Sequence, residues 1–313
     1  VLARLLRVAL LLEVGLVTVV LHYAGDVDGP VALLLALLLA MVWPAAVMLI
    51  GFAVAWARRM QRPPSMQIGP VWTARMVAQE ILITVLLYRV MQPLGHLAMG
   101  DPTRAGNGGP EHVPVLLVHG FLCNSVYWWL LRRQLADSGI TGIYAIDLEP
   151  LLGSIDGYAE RIAKRIGEIR ARSGAPRVLL VGHSMGGLAI RAYLRDYEVD
   201  DRVAGVLTLG TPHHGTVHAT LMFGENAYQM RPASHWLSAL NASEATPASV
   251  PLMSLYSCHD NIVAPQDSAQ LGYATNTVIR GVGHLALAWD AATVERIVAE
   301  IRSRVYPRAT DTE

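Results

Sequence analysis

Lysine is almost missing from this chain of 313 residues: it occurs once, at Lys164, so nearly all of the 25 basic residues are arginine. The 25 acidic residues cancel them, and the formal net charge is +0. A balanced chain has no basic field to draw in nucleic acid and no acidic tail. Cysteine is scarce as well. Cys123 and Cys258 stand alone, which excludes a disulfide framework, and no CxxC or Cys/His cluster has zinc spacing. No repeat and no low-complexity tract is present, and nothing marks a metal site or a cofactor.

Apolar residues are in excess. They make up 53% of the chain, and the mean hydropathy is +0.36. The excess sits mainly in the first sixty residues. Residues 5–21 are apolar except for Arg7, Glu13 and Thr18, and residues 31–57 carry no charge. The second run exceeds the roughly 20 residues that cross a bilayer as a helix. Between the two lies Gly25-Asp26-Val27-Asp28-Gly29-Pro30, a turn by composition. Residues 1–62 are therefore expected to form a transmembrane helical hairpin, preferred to a cleaved signal peptide because a second long run follows at once. Arg4 and Arg7 precede it, and Arg58, Arg59 and Arg62 follow it. By the positive-inside rule both ends face the cytoplasm, and the rest of the chain lies on that side of what would be a bacterial inner membrane. Residues 63–112 read as an amphipathic segment and a linker. The apolar run 81–88 is too short to span comfortably and is expected on the bilayer surface or packed on the folded domain. If it did cross, the domain would change sides. Residues 100–114 hold Gly106, Gly108 and Gly109 with Pro102, Pro110 and Pro114, a linker composition at which the domain boundary is placed.

From residue 113 to 313 the pattern changes. Short apolar runs at 115–119, 143–148, 178–181, 203–209, 252–256 and 277–282 alternate with amphipathic stretches. Apolar on both faces, they predict buried parallel strands. Ile162, Ile166 and Ile169 mark one helix face, and Val294, Ile297, Val298, Ile301 and Val305 mark another. The expected fold class is α/β, with a mostly parallel, doubly wound sheet.

The strongest chemical signal is Gly182-His183-Ser184-Met185-Gly186, followed by Gly187. A strand precedes it and a helix follows, which is the setting of a nucleophile elbow. A serine hydroxyl needs a base, and His284 in Gly281-Val282-Gly283-His284 is the candidate. His214 is its strongest competitor among eleven histidines. His119, His183, His213 and His218 read as structural or substrate-lining. The imidazole needs a carboxylate, for which Asp260 stands first and Asp267 second, while Asp290 reads as a helix N-cap. The tetrahedral oxyanion needs two backbone donors, expected from the amides of Met185 and Phe121.

Residues 113–306 resemble the bacterial α/β-hydrolase lipases, especially the small Bacillus-type lipases. The resemblance rests on Leu117-Val118-His119-Gly120-Phe121, Gly182-His183-Ser184-Met185-Gly186-Gly187, Leu207-Thr208-Leu209-Gly210-Thr211-Pro212, Asp260-Asn261-Ile262-Val263 and Gly281-Val282-Gly283-His284. It implies the α/β-hydrolase fold, attack on carboxylic esters and no cofactor. The membrane hairpin departs from it, and so does an insertion at about 213–250, read as a partial lid with the ordinary packing of a surface helix as an equal alternative. Tyr127, Trp128 and Trp129 are candidates for an acyl groove, with core packing the better reading for at least one of them, and Cys123 and Cys258 are candidates for a pair near the site. The reading is a membrane-associated esterase or lipase taking an ester or lipid substrate. The alternatives are an acyltransferase with the same triad, or a membrane scaffold without activity. Oligomeric state is not legible.

Overall fold

The computed structural model describes residues 1–98, 112–197, 201–243 and 250–305. The linker read at 100–114 lies, up to residue 111, outside the described residues.

The six apolar runs are six strands: β1 (Val115–Val118), β2 (Ile143–Ile146), β3 (Val178–His183), β4 (Val203–Leu209), β5 (Leu252–Ser257) and β6 (Thr275–Ile279). They form one parallel sheet in the order β2-β1-β3-β4-β5-β6. β1, β2 and β3 are buried at every position, which is why they read as unbroken apolar runs rather than alternating ones. β6 is the exception. It lies at the sheet edge, its residues are half-buried or exposed, and it begins two residues earlier than its apolar stretch predicts. The chain steps outward from β1 to β2 and then returns across β1 to β3. The topological switch therefore falls between β1 and β3, and a crevice opens there at the carboxyl ends of the strands.

Helices cover both faces. On one side lie α6 (Ile155–Ser173) and α7 (Met185–Asp196), packed through Ile162, Ile166, Ile169, Leu188 and Tyr193. Ser154 caps α6 by accepting from the Asp156 amide at 3.2 Å, and Gly174 closes it at φ 72°, a conformation glycine reaches without strain. On the other side lie α5 (Trp129–Asp137) and α8 (Ala291–Val305), the latter with Val294, Ile297, Val298, Ile301 and Val305 buried as their spacing predicts.

The N-terminal helices join this second core. α1 (Leu2–Tyr23) and α2 (Gly29–Ala57) pack against each other as a pair of helices. Ala32, Ala36, Ala40 and Pro44 recur every fourth residue along the buried side of α2, and small side chains there let the two helices approach closely. α3 (Pro70–Val85) continues through a π turn (Leu86–Met91) into α4 (Gln92–Ala98). Met48 of α2, Ile83 of α3 and Leu87 of the π turn are buried in the same cluster as Leu131 and Ile297. Among the described residues, three stretches are long and apolar enough to cross a membrane: Leu2–Tyr23, Gly29–Ala57 and Pro70–Gly95. The third corrects the reading of the run 81–88, because the helix extends well past Glu80 and Arg89 at both ends. Its Met76, Glu80, Ile83 and Thr84 are nevertheless buried against the sheet domain.

Candidate active site

Ser184 follows the last residue of β3 and precedes the first of α7. Its φ of 54° and ψ of −128° make it one of four described non-glycine residues with positive φ. The neighbouring glycines are sterically required. A Cβ on Gly182 would lie 2.7 Å from the backbone of Gly187, and one on Gly186 would strike the carbonyl oxygens of Val118 and His119. A Cβ on Gly187 would collide with the Thr211 side chain. The elbow is pinned from β4, since the Ser184 amide donates to the Leu209 carbonyl at 2.8 Å and Thr211 Oγ1 donates to the Ser184 carbonyl at 2.9 Å.

Asp260 lies in the loop after β5 and His284 in the loop after β6. His284 Nδ1 is 2.7 Å from Asp260 Oδ2, with both residues at most 3% exposed. Asp260 Oδ1 accepts from the amides of Ile262 at 2.8 Å and Val263 at 2.7 Å, so both carboxylate oxygens are occupied. Burial disfavours the charged imidazole, but the charge of Asp260, its hydrogen bond and the charge of Glu80 outweigh this, and the pKa of His284 is raised. Among the described residues no hydrogen bond joins Ser184 Oγ to the His284 ring. The two residues meet at one cavity, where contacts of this kind tighten when substrate binds. Gly120 and Phe121 border the same cavity, and a Cβ on Gly120 would lie 2.8 Å from Ser184 Cβ. The Met185 amide is the first of α7 and has no carbonyl one turn earlier in the helix to bond. Of the two residues expected to supply oxyanion donors, Met185 thus follows Ser184 directly and Phe121 borders the same cavity.

The competing residues are elsewhere. His214 is exposed and its Nδ1 pairs with the Asn241 side chain at 3.3 Å. Asp267 is exposed. Asp290 accepts from the Thr293 amide at 3.1 Å, the N-cap role expected of it. His119 accepts from the Leu148 amide through Nε2 at 3.0 Å, so its Nδ1 is the donor to the Gly120 carbonyl at 2.9 Å. It braces the loop. The His183 ring stacks on Tyr127 at 4.4 Å, and its Nε2 lies 3.1 Å from the His284 carbonyl. Burial and the neighbouring His284 push its pKa well down, which leaves it neutral beside His284. Cys123 and Cys258 are both free and buried. Among the described residues no group of three or more His, Cys, Asp or Glu is arranged to hold a metal ion.

The cavity has a volume of about 470 Å³ and a mostly apolar lining. Two expectations about its walls need correction. Tyr127 and Trp128 are fully buried core residues and Trp129 stacks on Trp289 at 6.3 Å, so none of the three lines it. The insertion contributes Met222, while Met230, Leu237 and Leu240 pack into the core. The cover comes largely from the N-terminal hairpin, through Leu6, Ala9 and Glu13 of α1 and Trp43, Pro44, Val47 and Met48 of α2. No local pattern marks this role, because a residue facing a cavity and a residue facing lipid are equally apolar. A larger cleft of about 880 Å³ lies between the end of α2, the start of α3 and the His259 loop, away from Ser184.

Residues 113–236 match the family model described as alpha/beta hydrolase fold. Over 114 residues, 34% of this chain, the sequence is 34% identical to a protein named triacylglycerol lipase from Pseudarthrobacter phenanthrenivorans, covering 35% of it. A triacylglycerol lipase from Burkholderia plantarii matches at the same identity over 31% of its length. The chain thus spans about a third of the length of the curated relatives it matches. Among solved structures, the mature Bacillus licheniformis lipase BlEst2 superposes with a TM-score of 0.55 at 21% identity, covering 64% of this chain and 96% of that one. The parallel six-stranded sheet, the elbow at its switch point and these likenesses make the fold that of the α/β-hydrolases.

Proposed function

We propose that the chain is a carboxylic ester hydrolase acting on long-chain acyl esters. The observation that carries this is the meeting of Ser184 and the Asp260–His284 pair on one apolar cavity of about 470 Å³. In this reading His284 takes the Ser184 proton as the hydroxyl attacks the ester carbonyl. The amides of Met185 and Phe121 hold the oxyanion, and His284 returns the proton to the departing alcohol. Water, deprotonated by the same imidazole, then cleaves the acyl-enzyme and regenerates Ser184. The lipase names of the curated relatives support an ester substrate.

The hairpin serves as a membrane anchor in the same proposal. Leu11, Leu12 and Leu16 of α1 and Leu34, Leu38 and Leu39 of α2 are each at least half exposed, a surface that water tolerates poorly and lipid accepts. With hairpin residues walling the cavity, the substrate is a lipid-phase ester and the domain lies on the cytoplasmic side that charge placement favours.

The test is hydrolysis of p-nitrophenyl esters from C2 to C16 by the full chain in mild detergent, beside Ser184→Ala. Activity that rises with acyl length and vanishes in the variant is expected. Folded wild type that is inert at every length sinks the hydrolase reading and leaves the scaffold. An acylated product that forms with an added alcohol, at the expense of free acid, assigns an acyltransferase instead.

A further inference from the structure

Glu80 lies on α3, 205 residues before Leu285, yet its carboxylate sits against the loop that carries His284. The side chain is fully buried. Oε1 accepts from the Leu285 amide at 2.7 Å, and Oε2 accepts from the Ala286 amide at 3.0 Å. These amides open the short 3-10 turn (Leu285–Ala288) that starts directly after His284, and the first amides of such a turn have no partner within it. From the other side, the His284 amide donates to Asn261 Oδ1 at 2.9 Å. The base is therefore clamped before and after by side chains from different parts of the chain.

Gly283 gives an independent sign of the same fit. A Cβ there would lie 2.6 Å from Glu80 Cδ, so only glycine at this position lets the carboxylate reach the turn. Among the described residues Glu80 makes no ion pair with arginine or lysine. A carboxylate buried without a counter-charge is costly, and the favourable terms present are the two amides and the positive charge that His284 acquires when it takes a proton.

We infer that Glu80 is a positioning residue for the base: it fixes the loop that carries His284 and places negative charge behind the imidazolium. This rests on the Ser184–Asp260–His284 reading above. It makes α3, which precedes the hydrolase fold in the chain, part of the reaction centre. The titratable groups facing His284 are Asp260, Glu80, His183 and His218, and Tyr88 and Tyr127 face Glu80 from the π turn and from the segment before α5.

The experiment is the pH dependence of kcat and kcat/KM on a short p-nitrophenyl ester, using the full chain in detergent. Wild type is compared with Glu80→Gln, Gly283→Ala and Ser184→Ala, with Tm measured for each. Glu80→Gln keeps shape and removes charge. Its kcat is expected to fall on the order of 100-fold, the effect of a slightly misplaced catalytic group, with KM little changed. Its acid limb should move to lower pH, because a negative charge that favours the imidazolium is gone. A folded Glu80→Gln with wild-type kcat and acid limb overturns the inference. So does a fall in kcat with an unmoved acid limb, which a purely structural role would give. If Glu80→Gln does not fold, Gly283→Ala displaces the carboxylate without deleting it, and the same shift is expected there. Failure of both to fold makes Glu80 structural and overturns the proposal. Ser184→Ala separates the two claims. Activity that persists in it removes the triad reading, whereas its inactivity beside a wild-type-like Glu80→Gln removes the Glu80 inference alone.

Discussion

The Asn261 side-chain amide lies 2.7 Å from the Met48 sulfur, while its carbonyl oxygen accepts the His284 amide at 2.9 Å. One side chain thus ties a membrane-length helix to the base loop. Asn261→Ala leaves the buried His284 amide without an acceptor. A lost buried partner costs about 1–3 kcal/mol. Urea unfolding should show a loss of that size, with a matching fall in kcat. Met48→Leu removes only the weak sulfur contact and should leave kcat near wild type, so the pair distinguishes loop support from helix contact.

The pH profile follows from the base. In the proposed mechanism His284 acts only when neutral, and its pKa is raised above the ordinary histidine value of 6.5. The acid limb of kcat/KM should therefore lie above that value. Asp260→Asn removes both the charge and the acceptor that raise it, so the limb should shift down. The rate should also fall by about 10⁴-fold, the loss typical when the wrong imidazole tautomer is fixed. Stability has its own sign. A group whose folded pKa is raised stabilises the fold fully below the unfolded pKa and loses that contribution as pH rises through the folded pKa. Wild type should lose this part of its Tm across that window, and Asp260→Asn should not.

The sheet, and the strand ends at which Ser184, Asp260 and His284 stand, were legible because their signals are local. β1 to β5 are short buried runs, and the elbow glycines at 182, 186 and 187 answer to contacts that any such turn makes. Asp260 and His284 each follow a strand, at the sheet edge where a doubly wound fold gathers its loops. What was not legible is non-local. Glu80 flanks the apolar run 81–88 and reads only as its end, because nothing nearby reveals that its partners are the amides of residues 285 and 286. Trp43, Val47 and Met48 read as lipid-facing, since hydropathy does not distinguish lipid from the wall of an acyl cavity. The aromatic run 127–129 was open for the opposite reason: large apolar rings there suit a groove or a core, and Tyr127 and Trp128 fill the core while Trp129 stays partly exposed against Trp289.

The elbow makes a steric prediction. Gly186 packs against the carbonyls of Val118 and His119, which belong to β1 and the loop that follows it, so neither can yield without moving the oxyanion loop. Overpacking of this kind costs typically about 1–3 kcal/mol. Gly186→Ala should lower the Tm and abolish labelling of Ser184 by a fluorophosphonate probe. Gly157→Ala, where a Cβ meets nothing within 4 Å, should leave labelling intact and serves as the control.

The cavity wall makes a prediction about acyl length. Ala9 of α1 and Val47 of α2 border the cavity that holds Ser184, so a larger side chain there shortens the space for the acyl chain without touching the triad. Each methylene that loses burial forfeits about 0.8 kcal/mol, close to fourfold in kcat/KM. Ala9→Phe and Val47→Trp should therefore leave C2 and C4 esters near wild type and depress C12 to C16 esters progressively, by about 100-fold once three or four methylenes are excluded. The rate of labelling by a small fluorophosphonate should not change. If both variants keep the wild-type length profile, the acyl chain does not run beneath the hairpin. The exposed apolar faces of α1 and α2 would then serve the membrane alone.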